Sequence, residues 1–203
     1  MVASILAGVG FSALLVTVSY GVYHRLLGPG RPIRYYDLAL TAAAVFLLAI
    51  LSEIVVNAVY QWLVGALLWE YRVLPLHDRS VSALGILIWP AFGCHVYLIQ
   101  RVQDHRLPPL LRSTFGKALI LGLEAPLVWE VAGNLYFLVT LRQYYAYYNP
   151  PDLWHLTSIQ VVPIYIVTIY AGLLVLQALQ RMGRHRALPV VLFLAGIGLV
   201  VLG

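Results

Sequence analysis

The fold class that the sequence predicts is an all-α membrane protein with six transmembrane helices, and three observations predict it. Apolar residues make up 62% of the 203 and charged ones only 10%, an apolar share that the interior of a water-soluble domain cannot hide. Apolar runs long enough to cross a hydrocarbon layer of ~30 Å begin near Val2, Leu38, Val81, Ala118, Leu156 and Ala187. Ten of the thirteen Lys and Arg sit in three alternate connections, the asymmetry that orients a multi-pass chain in its bilayer.

The first run, roughly Val2 to Tyr23, has no basic residues ahead of it and reads as a retained span rather than a cleaved signal peptide. Arg25, Arg31 and Arg34 follow. The second helix reads from Tyr36 to Trp69, about 50 Å at 1.5 Å per residue, so it must tilt, bend or project from the membrane. A connection rich in aromatic residues, Pro and His, WEYRVLPLHDRS, leads to a third helix that contains Pro90. Arg101, Arg106, Arg112 and Lys117 precede a fourth helix with Pro126. The connection RQYYAYYNPPDLWHLTS then leads to a fifth helix with Pro163, and Arg181, Arg184 and Arg186 precede the sixth. The basic connections are expected on the cytoplasmic side, with both termini non-cytoplasmic. The net charge of +5 then belongs beside anionic lipid headgroups, and no nucleic-acid partner is expected. Cys94 stands alone, so neither a disulfide framework nor a thiolate cluster is available. No cofactor or metal site is expected, since the spacing of Glu70, His77, Asp78 and His155 matches no metal-ligand pattern. The whole chain, 1–203, reads as one polytopic domain.

Within it lies an internal duplication. SEIVVNAVY carries Glu53 and Asn57, and WEVAGNLY carries Glu130 and Asn134 at an offset of 77. The same offset pairs Tyr71 with Tyr148 and Ser80 with Thr157, and an offset four shorter pairs Pro90 with Pro163 and Tyr97 with Tyr170. Repeat units of about 36–101 and 113–181 would place helices 2-3 on helices 4-5 in parallel, about a pseudo-twofold along the membrane normal. Both prolines are expected to bend their helices near mid-membrane.

Glu and Asn four apart share a helix face, so each Asn is expected to hold its carboxyl by a hydrogen bond. An ionisable group at membrane depth costs several kcal/mol and marks a functional site by default. The bland alternative is an interhelical clamp that only fixes packing. For the outer aromatic residues the bland reading is an interfacial belt. A neutral carboxylic acid in a dry pocket is a proton donor, and aromatic faces stabilise a developing cation. This combination points to intramembrane acid-catalysed cyclisation or isomerisation of an isoprenoid, with a hydrophobic isoprenoid or lipid entering from the bilayer. Glu130 is expected as the acid and Glu53 as its partner. Asn57, Asn134, Trp69, Tyr71, Trp129, Tyr97, Tyr170 and His95 are the expected substrate-binding residues. Glu124 stands six residues before Glu130, either a second acid or closer to the cytoplasmic end. The alternative function is a lipid or small-molecule transporter subunit, permease-like, that uses the paired Glu-Asn sites.

Trp69-x-Tyr71 and Leu84-Gly85-Ile86 before Pro90 resemble the Trp-x-Tyr, Leu-Gly-Ile, Pro pattern of the small integral-membrane lycopene cyclases. Trp129-Glu130 is similar to the Trp-Glu within a span of the integral-membrane terpene cyclases of meroterpenoid pathways. Multispan proteins labelled as transporter permeases share a similar Glu, Trp-x-Tyr, Gly, Pro layout. The resemblance covers Leu51 to Gln100 and, more faintly, Glu130 to Tyr170. It implies a membrane isomerase or cyclase of isoprenoid biosynthesis with Glu53 and Glu130 as its acids.

Overall fold

The computed structural model describes residues 1–28, 30–183 and 185–202, and Arg184 of the third basic connection lies outside them. The elements are α1 (Val2–Leu27), α2 (Tyr35–Val64), β1 (Trp69–Tyr71), β2 (Pro75–Leu76), β3 (Val81–Ser82), α3 (Gly85–Arg106), α4 (Pro109–Arg112), α5 (Thr114–Glu124), α6 (Val131–Leu141), β4 (Ala146–Tyr148), α7 (Val161–Arg181) and α8 (Leu188–Leu202). A π-helical turn, Ala125–Glu130, joins α5 to α6 in one rod.

Among the described residues, four helices are long and apolar enough to cross a membrane: Val2–Leu27, Tyr35–Val64, Thr114–Leu141 and Val161–Arg181. They make this a membrane protein by length and composition. The other two expected crossings differ. Over its 22 residues α3 has the length, but it ends in QRVQDHR. It is also the most protected helix, with Phe92, Gly93, His95, Val96, Tyr97 and Leu98 all buried. Asp104, His105 and Arg106 at its polar end are exposed, so that end is where α3 leaves the apolar bundle. With 15 residues, α8 covers about 22 Å, short of the ~30 Å hydrocarbon layer.

Close packing of α3 on α2 depends on Gly93, where a Cβ would lie 2.5 Å from Ala42 Cα. Likewise α5 meets α7 at Gly122, where a Cβ would lie 2.7 Å from Ile166 Cα. Small residues that let backbones touch are the usual packing device of helices in lipid.

The second helix stops earlier than the sequence suggests. It ends at Val64, and Gly65 takes the left-handed conformation, φ 81°, with its N–H on Gln61 O. A glycine in that conformation is the usual helix stop. The chain then turns back, and Trp69, expected as the last helical residue, lies in β1. Similarly, Val81 is in β3 and not at the start of a helix, and Leu156 follows a short 3-10 turn at Asp152–His155 before α7 begins at Val161.

Two asparagines hold this folded-back chain. Asn57 Oδ1 accepts from Leu68 N at 3.1 Å and from Trp69 N at 3.4 Å, while its Nδ2 donates to Trp69 O at 3.1 Å. Asn134 Oδ1 accepts from Tyr145 N at 2.9 Å and Ala146 N at 3.0 Å, and its Nδ2 donates to Ala146 O at 2.8 Å and Leu156 O at 2.6 Å. The expected Asn–Glu bonds are therefore replaced by Asn–backbone bonds, because a carboxamide is the side chain that offers both a donor and an acceptor to an unpaired peptide group.

The segments so held pair with each other. β1 and β4 are antiparallel, with Trp69 opposite Tyr148, Glu70 opposite Tyr147 and Tyr71 opposite Ala146. The three residues of β4 stand 77 after those of β1, so a local twofold passes through the Glu70 and Tyr147 pair.

Both prolines stand early in their helices. Pro163 is the third residue of α7, where its missing N–H has no intrahelical partner to lose. Pro90 is the sixth residue of α3 and leaves only Ile86 O without its helical donor. Neither sits at the middle of its helix.

Asn57→Ala and Asn134→Ala are each expected to lower stability by about 3 kcal/mol or more, since each strands three or four backbone groups at a cost of roughly 1–3 kcal/mol apiece. Reversible unfolding in mixed micelles measures this, and a loss below about 1 kcal/mol would show that other groups hold the two strands.

Candidate functional site

The fold-back brings β1 and β4 down beside the two acids. On α2, Glu53 is 4% exposed. Its Oε1 accepts the hydroxyl of Tyr71, which stands 18 residues later in β1, and also Trp89 Nε1–H at 3.2 Å. Glu53 Oε2 is buried without a hydrogen-bond partner. The last residue of the π turn is Glu130. Its Oε2 accepts from Thr157 at 2.7 Å and its Oε1 accepts the hydroxyl of Tyr165. Tyr148, 18 residues after Glu130, lines the same cavity.

The π turn follows from Pro126, which cannot donate to the carbonyl one turn before it. The chain absorbs the missing bond by widening, and such turns recur at functional sites. Trp129 and Glu130 lie in it and owe their directions to it.

Each acid lines a space of its own, and the two spaces adjoin. A groove of about 830 Å³, counting its open side, runs between α2 and α7. Val45, Leu48, Ile169 and Leu173 form its apolar walls, and Glu53, Trp69 and Trp89 lie at its polar end. A second cavity of about 570 Å³ is lined by Phe11, Trp129, Glu130, Asn134, Tyr145 and Tyr148. Trp89, Phe92 and Tyr165 border both, so the two spaces adjoin at these rings.

Of the residues singled out from sequence, the structure gathers Glu53, Trp69, Tyr71, Glu130, Trp129 and Asn134 at the two cavities. Asn57 is fully buried and engaged with backbone. Tyr97 is elsewhere: its hydroxyl accepts Arg34 N at 2.9 Å, and it packs with Tyr23 and Leu98. Tyr170 is 37% exposed and meets Phe115 edge-on, facing away from the site. Seven residues beyond the prolines is about 10 Å along a helix, enough to leave the cavities behind. His95 lies behind Trp129, with ring centroids 5.2 Å apart. Among the outer candidates, Glu70 pairs with Arg72 at 3.3 Å and Arg79 at 3.1 Å, His77 meets Val200 O and His155 meets Tyr148 O. Among the described residues no three His, Cys, Asp or Glu gather as a metal site.

Trp89 and Tyr165 bond the two acids directly, yet nothing in the sequence separates them from other interfacial aromatics. The one signal is proximity: Trp89 precedes Pro90, and Tyr165 follows Pro163 by two.

Compared with protein-family models, with curated proteins and with solved structures, the chain matches none.

The Thr157–Glu130 bond predicts a double-mutant cycle. Thr157→Val is expected to cost about 1–3 kcal/mol of stability in the native background and much less beside Glu130→Leu, a coupling of at least about 0.5 kcal/mol. Equal losses in both backgrounds, read from micellar unfolding curves, would deny the bond.

Proposed function

We propose that this chain is an intramembrane enzyme that isomerises or cyclises an isoprenoid by proton transfer, within a six-crossing bundle derived from two copies of a helix–loop–helix unit. The observation that carries the reading is the apolar groove between α2 and α7 that ends on the Glu53 carboxyl. The matched Asn clamps and the pairing of β1 with β4 at the same offset of 77 support the duplication.

The partners of the two carboxyls divide the roles. Oε1 of Glu53 accepts two donors while Oε2 has none, so the neutral acid carries its proton on Oε2, where no hydrogen bond holds it. Each oxygen of Glu130 accepts a donor, the pattern that suits a carboxylate base. Glu53 is therefore the donor and Glu130 the acceptor, the reverse of the order preferred from sequence.

Protonation of a double bond by Glu53 forms a C–H bond and leaves a carbocation. Ring closure or migration follows, facing the rings of Trp89, Phe92 and Trp129. In this reading the substrate extends past the shared rings of Trp89, Phe92 and Tyr165 from the groove into the second cavity, where loss of a neighbouring proton to Glu130 regenerates an alkene. The product is an isomer of the substrate, and return of the proton from Glu130 to Glu53 closes the cycle.

The test incubates purified protein with a panel of prenyl alcohols, hydrocarbons and quinones in D2O. An isomeric product carrying deuterium is expected. Glu53→Gln should lower turnover by about 10²–10⁴, the usual contribution of a positioned acid, with unchanged helical circular dichroism. Glu130→Gln should slow turnover as well. Turnover of a panel substrate by Glu53→Gln at the native rate would overturn the assignment. Movement of panel lipids across liposomes without conversion would instead identify a transporter.

A further inference from the structure

Glu124 lines neither cavity, yet it is tied to the wall of one. Its Oε1 accepts Trp129 Nε1–H at 3.1 Å and faces His95 Nε2 at 3.4 Å. His95 is 1% exposed, and its Nδ1 lies 2.8 Å from Ser19 Oγ. Ser19 donates its single hydroxyl proton to Leu15 O at 2.6 Å. The proton on the imidazole must therefore sit on Nδ1, which donates to Ser19, and Nε2 is left facing the carboxyl at 3.4 Å without a hydrogen bond.

The imidazole in turn stacks on Phe92, with centroids 5.3 Å apart at 28°, and meets Trp129 edge-on at 70°. Phe92 and Trp129 both line the Glu130 cavity. The spacing makes sense only with the π turn. Residues five apart on an α-helix stand about 140° apart around its axis. The wider π turn between Glu124 and Trp129 removes much of that angle, so the indole N–H reaches back to the carboxyl while the ring faces the cavity.

We propose that Glu124 and His95 are positioning residues that hold the Trp129 indole as a wall of the Glu130 cavity, with Glu124 acting as hydrogen-bond acceptor to the indole and not as a second acid. Its catalytic consequence rests on the isoprenoid reading above.

The experiment records the indole N–H resonances of ¹⁵N-tryptophan protein in micelles. The chain has five tryptophans, and Trp129→Phe assigns the relevant signal. Glu124→Gln keeps an acceptor oxygen and is expected to leave the Trp129 resonance near its native position. Glu124→Leu should move it strongly upfield, and Glu124→Met serves in its place if the Leu variant does not fold. On an active substrate, Glu124→Leu should raise KM by about tenfold, the equivalent of one lost hydrogen bond, with kcat little changed, and Glu124→Gln should leave KM near its native value. A Trp129 resonance unmoved in Glu124→Leu or Glu124→Met overturns the proposal. So does a Glu124→Gln protein whose indole signal is native but whose turnover is gone, since that makes Glu124 an acid. If the native protein converts nothing in the panel, the isoprenoid reading fails, while the indole spectra still decide the positioning.

Discussion

Peptide groups that leave a helix inside an apolar bundle must find partners there, because lipid offers none. Much of this structure follows from how that demand is met twice. After α2 and again after α6 the chain folds back along its own helix, and at each place one asparagine of the preceding helix takes up the peptide groups that the turn leaves open. The two returned segments then satisfy each other as β1 and β4. Without the carboxamides, non-helical backbone could not sit this far inside the bundle, and the residues that reach the acids would have no platform.

That platform is what gives the acids their surroundings. Tyr71 and Tyr148 arrive on the paired strands, Trp89 on α3 and Tyr165 on α7. Neutral donors, rather than Lys or Arg, surround Glu53 and Glu130. A cation beside either carboxyl would fix it as an ion pair and remove it from proton exchange. Hydroxyl and indole donors orient the group without taking its proton. Aromatic side chains serve twice here, as hydrogen-bond donors to the acids and as the apolar lining that the two cavities share.

The legible part of the site was the part written in rare residues. Glu and Asn four apart, twice, stand out in an apolar chain, and both acids do end cavities. What the asparagines do was misread, because sequence distance on a helix, four residues, is shorter than the distance to Trp69 or Ala146, twelve residues on in the chain. Only the fold-back makes the distant partner the near one. Repeat alignment pairs Tyr97 with Tyr170, which shows that positions correspond but not that they face a cavity. The pairing of Glu124 with Trp129 was hidden for another reason: an α-helical count puts them on different sides, and the π turn that brings them together is a response of the backbone to Pro126.

By itself the sequence determined that the chain is helical and built for a membrane, since its composition and its apolar runs allow no other solvent. It also marked Glu53, Asn57, Glu130 and Asn134 as the polar residues that need an explanation. Tertiary structure alone decided where the helices stop, which partners the asparagines and acids take, and which aromatic residues reach the carboxyls. The physical reason is that stops and partners depend on unsatisfied backbone and side-chain groups finding each other across α2, α3, α6 and α7, and those encounters are set by packing between segments far apart in sequence rather than by local pattern.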